Sequence, residues 1–372
     1  MLKIMTIVGT RPEIIKLSRV IAELDMHSEH ILVHTGQNYD YELNQVFFDE
    51  MEIRKPDYFL DAAGDNPAKS IANIISKSDE LFEKIEPDAL LIYGDTNSCL
   101  CVIPAKRRKI PVFHMEAGNR CFDERVPEEV NRKIIDHLSD INMPLTEHAR
   151  RYLVAEGIRP ETVIKTGSCM KEVFKYYADK IDSSAVLEKN GLEKNKYFIA
   201  SIHREENLDL KESFEKLPVM LNAVAAEYKM PIIFSTHPRT MKKLEQLEAC
   251  TLSENIKICK PFGFFDYVKL QKEAFCVLSD SGTITEEASL LGINAVTLRL
   301  AHERPEGMDD GVLVMSAIDA KSVLDAIKVS TSGFAADSKN IPEDYDVDNV
   351  SSKVVKIIYS YTDYINRTVW KK

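Results

Sequence analysis

The chain has 372 residues, a net charge of −11, 44% hydrophobic and 29% charged residues. That length predicts about two domains, each able to bury a core of ordinary size. The acidic balance excludes a general nucleic-acid binder, which needs a basic face against phosphate. It leaves room for a small anion held by local basic groups and helix ends.

Short apolar runs alternate with longer helical patterns along the whole chain. In the first half the predicted strands are Ile4–Val8, Ile31–Thr35, Ala89–Tyr93, Val112–His114, Ile141–Met143 and Val163–Lys165. The helical patterns between them are Pro12–Leu24, Ile71–Ile85, Glu128–His137 and Glu147–Glu156. The second half repeats the theme with strands Tyr197–Ile202, Ile232–Thr236, Ile256–Ile258, Cys276–Ser279 and Ala295–Leu298. The helices Ile284–Leu291 and Val350–Tyr361 are also expected there. Alternation of this kind predicts the α/β class, with doubly wound parallel sheets covered on both faces. The polar stretch Ala178–Lys196 sets a boundary near its start, giving domains 1–177 and 178–355 and a tail 356–372. Two such domains imply a cleft, with ligands at the carboxyl ends of the strands.

The seven cysteines are odd in number, and none is spaced as C-x-x-C. Free buried thiols in a reducing compartment are expected, and no metal site. The N-terminus lacks a cleavage-site pattern, and no run approaches the roughly eighteen apolar residues of a membrane span. A cytoplasmic protein without a membrane partner follows as the expectation.

Chemistry-bearing residues gather at the strand ends. Gly9-Thr10-Arg11-Pro12-Glu13 follows the first strand, where Arg11 and Lys16 can face an anion; the alternative is a plain βα turn. No G-x-G-x-x-G occurs, so a nicotinamide dinucleotide is not indicated and no cofactor is expected. Asp95 follows the strand Ala89–Tyr93 and is read either as a helix N-cap or as an acid at the site edge. Glu116, two residues past His114, stands in a strand-end loop beside Ala117 and Gly118, where a solvated helix face does not explain it. Glu128 and Arg132, like Glu129 and Lys133, are four apart on a helix; for Glu129 the solvated face is the expectation.

In the second half, His203 and Arg204 end the strand Tyr197–Ile202, and His237 ends the next one. Ser281, Gly282 and Thr283 open a helix and offer backbone N–H groups and hydroxyls to a phosphate; a simple N-cap is the alternative. Glu287, one turn on, can accept from ribose hydroxyls. Arg304 in His302-Glu303-Arg304-Pro305-Glu306 is read as neutralising a diphosphate or as a surface ion pair.

Taken in order, GTRPE, GDTNS, HMEAGNR, PEEVNR, the mid-chain His-Arg, DSGTITEEA and ERPEG resemble the non-hydrolysing UDP-N-acetylglucosamine 2-epimerase family over nearly the full length. The resemblance implies a GT-B-like pair of Rossmann-like domains facing a deep cleft, a homodimer, and a C-terminal helix returning to the first domain. It implies a UDP-2-acetamido sugar as substrate and no redox cofactor. UDP leaves C1 as a base takes the C2 proton, giving a 2-acetamidoglycal; UDP then returns and C2 is protonated on the other face. By the same resemblance Asp95, Glu116 and Glu128 are the acid/base carboxylates, and His203 assists the diphosphate. Arg11 and Lys16 line the cleft. Ser281, Gly282 and Thr283 form the phosphate loop, Glu287 binds ribose, Arg304 is a cleft arginine, and Tyr267 lies beside uracil.

The chain also departs from the glucosamine enzymes. Asn119-Arg120-Cys121-Phe122-Asp123-Glu124-Arg125-Val126 replaces their usual Leu-Arg-Thr-Gly-Asp loop. Gly36-Gln37-Asn38-Tyr39-Asp40 and Glu205 are further departures. These resemble the branch that converts UDP-2-acetamido-2,6-dideoxy-L-talose to UDP-N-acetyl-L-fucosamine for capsule or O-antigen, where apolar Phe122 or Val126 suits a 6-deoxy sugar. The alternatives are UDP-N-acetylglucosamine epimerisation, a GT-B glycosyltransferase and a non-catalytic nucleotide-sugar sensor.

Overall fold

The computed structural model describes residues 1–36, 48, 50–208, 211–236, 240, 243, 252–301, 303–332 and 341–372, without the side chains of 205, 206 and 211–213. Gln37–Asp40, His237 and the Glu205 side chain therefore lie outside the described residues. Chain contacts group Met1–Lys175 with Glu343–Lys372 as one compact unit and Tyr176–Pro342 as a second.

The first unit holds a six-stranded parallel sheet. Its strands are β1 (Lys3–Val8), β2 (Glu29–His34), β3 (Tyr58–Phe59), β4 (Ala89–Tyr93), β5 (Val112–Met115) and β6 (Ile141–Met143), in spatial order β3-β2-β1-β4-β5-β6. β1 and β4 are buried throughout or nearly so, as expected of strands covered on both faces. One face packs Ile14, Leu17, Val20, Ile21 and Leu24 of the helix Arg11–His27 with Val354 and Ile358 of the helix Val350–Thr368. The other face packs Ile74 and Phe82 of the helix Pro67–Ile85.

The second unit repeats the plan. Its strands are β7 (Phe198–Ser201), β8 (Ile232–Ser235), β9 (Ile256–Cys259), β10 (Cys276–Ser279), β11 (Ala295–Leu298) and β12 (Val314–Ser316). They run in the order β12-β11-β10-β7-β8-β9, the same winding read from the other edge. In both units the chain reverses its direction of progress between the first and fourth strands. An open α/β sheet binds ligands at that switch point, outside the strands' carboxyl ends. The expected α/β class with two doubly wound parallel sheets is what the chain forms.

Three expectations change. Val163–Lys165 is not a strand; Val163 makes only an isolated bridge to Asn142. The edge strands β3 and β12 add to those expected. The return to the first unit starts at Glu343, ahead of the expected 356. Asp344 accepts from the Glu147 N–H and pairs with Lys165, while Asp346 and Asp348 pair with Lys171. These contacts tie the incoming chain down before the helix Val350–Thr368 begins. No described helix is long and apolar enough to cross a membrane. The described cysteines are free, and all but Cys259 are buried.

Candidate active site

At the first switch point β1 feeds a turn that only glycine fits. A Cβ on Gly9 would lie 1.8 Å from Ser98 Oγ and 2.4 Å from Thr35 Oγ1. Glu13 then folds back beneath the turn and accepts from the N–H groups of Gly9 and Thr10 and from the Thr96 hydroxyl. Burial raises its carboxyl to about 7, against these lowering hydrogen bonds and with a further push from the Asp95 charge. Glu13 thus joins the loop bearing Arg11 to the loop bearing Asp95. Arg11 sits half-buried at the helix start, where burial lowers its guanidinium.

Two carboxylates stand just beyond neighbouring strands. Tyr93 of β4 and Met115 of β5 are register partners, and Asp95 and Glu116 lie two residues and one residue further on. Lys16, buried on the first helix, donates to Glu116 Oε2 at 2.6 Å, and Asn119 Nδ2 donates to Oε1 at 3.1 Å. Glu116 has φ +61, a left-handed conformation whose cost the surroundings must offset and which clusters at functional sites. Arg132 Nε donates to Asp95 Oδ2 at 2.7 Å, and Asn131 holds the Asp95 carbonyl at 3.0 Å. Glu128 is exposed on the first turn of the helix Pro127–Leu138. Its i+3 and i+4 spacing puts it on the face that carries Asn131 and Arg132.

Glu129 corrects the reading of a solvated helix face. It is fully buried, pairs with Arg132 at 2.9 Å, and accepts from the backbone N–H groups of Cys121 and Phe122. Lys133, the partner first expected, pairs instead with Glu124. Asp136 and Arg120 form a second buried pair at 2.8 Å, and Arg120 also forks onto Glu156. Phe122 is 71% exposed at φ +55, edge-on to Tyr152.

At the second switch point Asp280, fully buried, accepts from the N–H groups of His203 and Arg204 and from Asn207 Nδ2. His203 Nδ1 lies 3.3 Å from that carboxylate while its side chain remains 54% exposed. Ser281 and Thr283 hydroxyls lie 3.0 Å apart before the helix Ile284–Leu291. Thr283 donates to Glu287 at 2.7 Å, and Gln271 donates to its other oxygen at 2.6 Å. Glu287 is thereby fixed in orientation. Tyr267 is half-buried on the helix Phe264–Glu273; burial and then the Glu287 charge push its phenol up, opposed by hydrogen bonds with Ser201 and Ser279.

Arg304 is neither exposed nor a surface pair. It is buried and 3.2 Å from Glu286, itself fully buried. A pocket within the second unit is lined by Ser281, Gly282, Thr285, Arg299, Glu303 and Arg304 among others. Arg299 pairs with Glu303 at 2.9 Å, and its buried Nε has no hydrogen-bond partner among the described residues. A donor left over in a buried site fits an anion. The described residues contain no cluster that could hold a metal ion.

Sequence reasoning missed Glu13, Glu129, Arg120, Asp136, Asp280 and Arg299. Thr10-x-x-Glu13 is a capping-box spacing and carried a signal for the first. The recurrence of polar residues at 129, 132 and 136, one helix face, carried a signal for two more.

Residues 22–359 match the model of the UDP-N-acetylglucosamine 2-epimerase family. The structure of UDP-N-acetylglucosamine 2-epimerase from Rickettsia bellii is 58% identical, covers 100% of both chains and superposes with a TM-score of 0.94. A UDP-N-acetylglucosamine 2-epimerase homolog of Methanococcus maripaludis is 35% identical over 96% of this chain and 99% of its own. The Methanocaldococcus jannaschii UDP-GlcNAc 2-epimerase, solved with UDP-GlcNAc and UDP, is 29% identical over 96% of this chain and 100% of its own, with a TM-score of 0.88. On the family match and these relatives, the chain belongs to the UDP-N-acetylglucosamine 2-epimerase family and is an isomerase.

Proposed function

We propose that the enzyme epimerises C2 of a UDP-2-acetamido sugar without net hydrolysis. The observation that carries the reading is the pair Asp95 and Glu116. Each is a carboxylate beyond the end of one of two neighbouring strands, and each is held by its own cation. A C2 proton is not acidic by itself. Its removal becomes feasible when the C1–O bond to UDP breaks in the same process, giving a 2-acetamidoglycal and UDP. UDP then re-adds at C1, and a proton is delivered to the opposite face of C2. This needs acid/base groups on both faces of the sugar and cations at the departing diphosphate.

Asp95, Glu116 and Glu128 are assigned to proton transfer at C2. His203 is assigned to the leaving diphosphate, with Ser281, Gly282 and Thr283 at their helix N-terminus and Arg304 beside Arg299. Arg11 and Lys16 serve the anionic ligand, Glu287 the ribose and Tyr267 the uracil. Homodimer assembly and a cytoplasmic role in capsule or O-antigen precursor synthesis go with this reading. A glycosyltransferase or a sensor gives no reason for two carboxylates so placed.

For the sugar, the loop Asn119–Val126 supports UDP-2-acetamido-2,6-dideoxy-L-talose, with UDP-N-acetyl-L-fucosamine as product. Its exposed Phe122 suits a methyl at C6 better than a hydroxymethyl. The relatives that are UDP-N-acetylglucosamine 2-epimerases favour a second reading, UDP-N-acetylglucosamine to UDP-N-acetylmannosamine. Proton NMR in D2O with each sugar in its own tube tests the choice. A new epimer carrying deuterium at C2 with only the L-talo sugar supports the first reading. The same signal with only the glucosamine sugar supports the second, and no exchange with either contradicts both sugar assignments.

A further inference from the structure

We infer that Glu129 and Asp136 are positioning residues that hold Asp95 and Glu116 in register for proton transfer at C2, an inference that rests on the function proposed above. Both are fully buried carboxylates on the helix Pro127–Leu138. Seven residues apart, they lie two turns apart on one face.

Each reaches both acid-bearing loops. Asp136 accepts from the Gly118 N–H at 3.2 Å and from Arg120 at 2.8 Å, both just after Glu116. It also lies 3.0 Å from His114 Nδ1, and His114 Nε2 bonds the Gly94 carbonyl at 2.7 Å, the residue before Asp95. Glu129 accepts from the N–H groups of Cys121 and Phe122 at 3.1 and 3.2 Å, further along the Glu116 loop. Through Arg132 it reaches Asp95 itself, with contacts of 2.9 and 2.7 Å.

The two loops are thus bridged twice. Buried charge of this kind is a costly way to hold a fold together, since apolar packing does it as well. It does fix directions, because a carboxylate accepting several N–H groups leaves the loop few alternatives. Glu116 in its left-handed conformation is the residue that needs such support. Loss of register affects delivery of a proton to the second face of C2 more than it affects nucleotide binding. A misplacement of about 1 Å can cost roughly 100-fold in rate.

The test compares Asp136→Asn and Glu129→Gln with the wild-type chain in D2O, supplied with whichever sugar the wild type epimerises. A near-normal melting temperature is required of a variant before it is scored; if one fails to fold, the other decides. The expected result is a fall in kcat of about 30- to 100-fold with KM and UDP Kd within threefold. Deuterium should also enter C2 with retained configuration more often than in the wild type, because the proton returns to the face it left. A folded variant with kcat within threefold and an unchanged retention-to-inversion ratio overturns the inference. So do kcat and UDP affinity falling together. No exchange by the wild type with either sugar sinks both sugar assignments of the underlying function instead.

Discussion

The two units share one winding and use its switch point in opposite ways. The fourth strand of each leads to an aspartate, Asp95 after β4 and Asp280 after β10. Asp280 is sealed off and spends its oxygens on the backbone of His203 and Arg204. Asp95 keeps part of its carboxylate in reach of solvent, with Arg132 on one oxygen. The first strand of one unit leads to a buried glutamate, Glu13, beneath the turn; that of the other leads to an exposed histidine. The first unit therefore presents carboxylates backed by cations. The second presents hydroxyls, a histidine and buried arginines at a helix start. A fold shared by both cannot account for that difference, which lies in the loops.

The sharpest way to break this division is to cross its roles. Asp95→Asn should lower kcat by about 10³-fold, as expected for loss of an acid/base group, with UDP affinity nearly unchanged by calorimetry. Ser281→Ala should instead weaken UDP by about tenfold, the loss of about 1.4 kcal/mol, with a smaller change in kcat. If both variants lose affinity equally, the assignment of chemistry to one unit and nucleotide to the other is wrong.

Asp280→Ala tests the claim that this aspartate is structural. It strips the N–H groups of His203 and Arg204 and the Asn207 amide of their acceptor. The expected loss is about 2–4 kcal/mol in chemical denaturation. An unchanged midpoint would place Asp280 with the chemistry instead.

The smallest effect concerns Glu13. Its folded-state pKa is raised to about 7, so between its unfolded value and about 7 the native state binds more protons than the unfolded one. This group then makes stability fall as pH rises through that window and level off above it. Glu13→Gln, which keeps an acceptor oxygen, should remove that contribution. The melting temperature of the variant relative to wild type should rise from pH 5 to pH 7.5. A constant difference would contradict a raised carboxyl at this position.

How much of this was legible in the sequence follows from what each residue packs against. β1, β4, β10 and β11 are predominantly apolar runs, because both sheet faces are covered, and they read directly. The edge strands Tyr58–Phe59 and Val314–Ser316 are two and three residues long and partly exposed, so no period shows. Val163–Lys165 has the composition of a strand but gains only one isolated bridge, Val163 to Asn142. The chemical groups were visible because they stand at strand ends. Their partners were not. Glu129 and Lys133 at i,i+4 read as a solvated face until Glu129 is seen buried under the loop 119–122 and paired with Arg132, and the surface ion pair that was one reading of Arg304 gives way once Glu286 is seen buried beside it.

Glu116, the carboxylate that Lys16 holds in a left-handed turn, stands at the centre of the proposed chemistry. The decisive measurement is C2 deuterium wash-in and UDP affinity for Glu116→Gln beside the wild type. The account predicts that exchange and epimerisation fall together by about 10³-fold while UDP binds within threefold. Near-normal exchange in the variant would remove Glu116 from the chemistry and leave the ion pair with Lys16 as a structural contact.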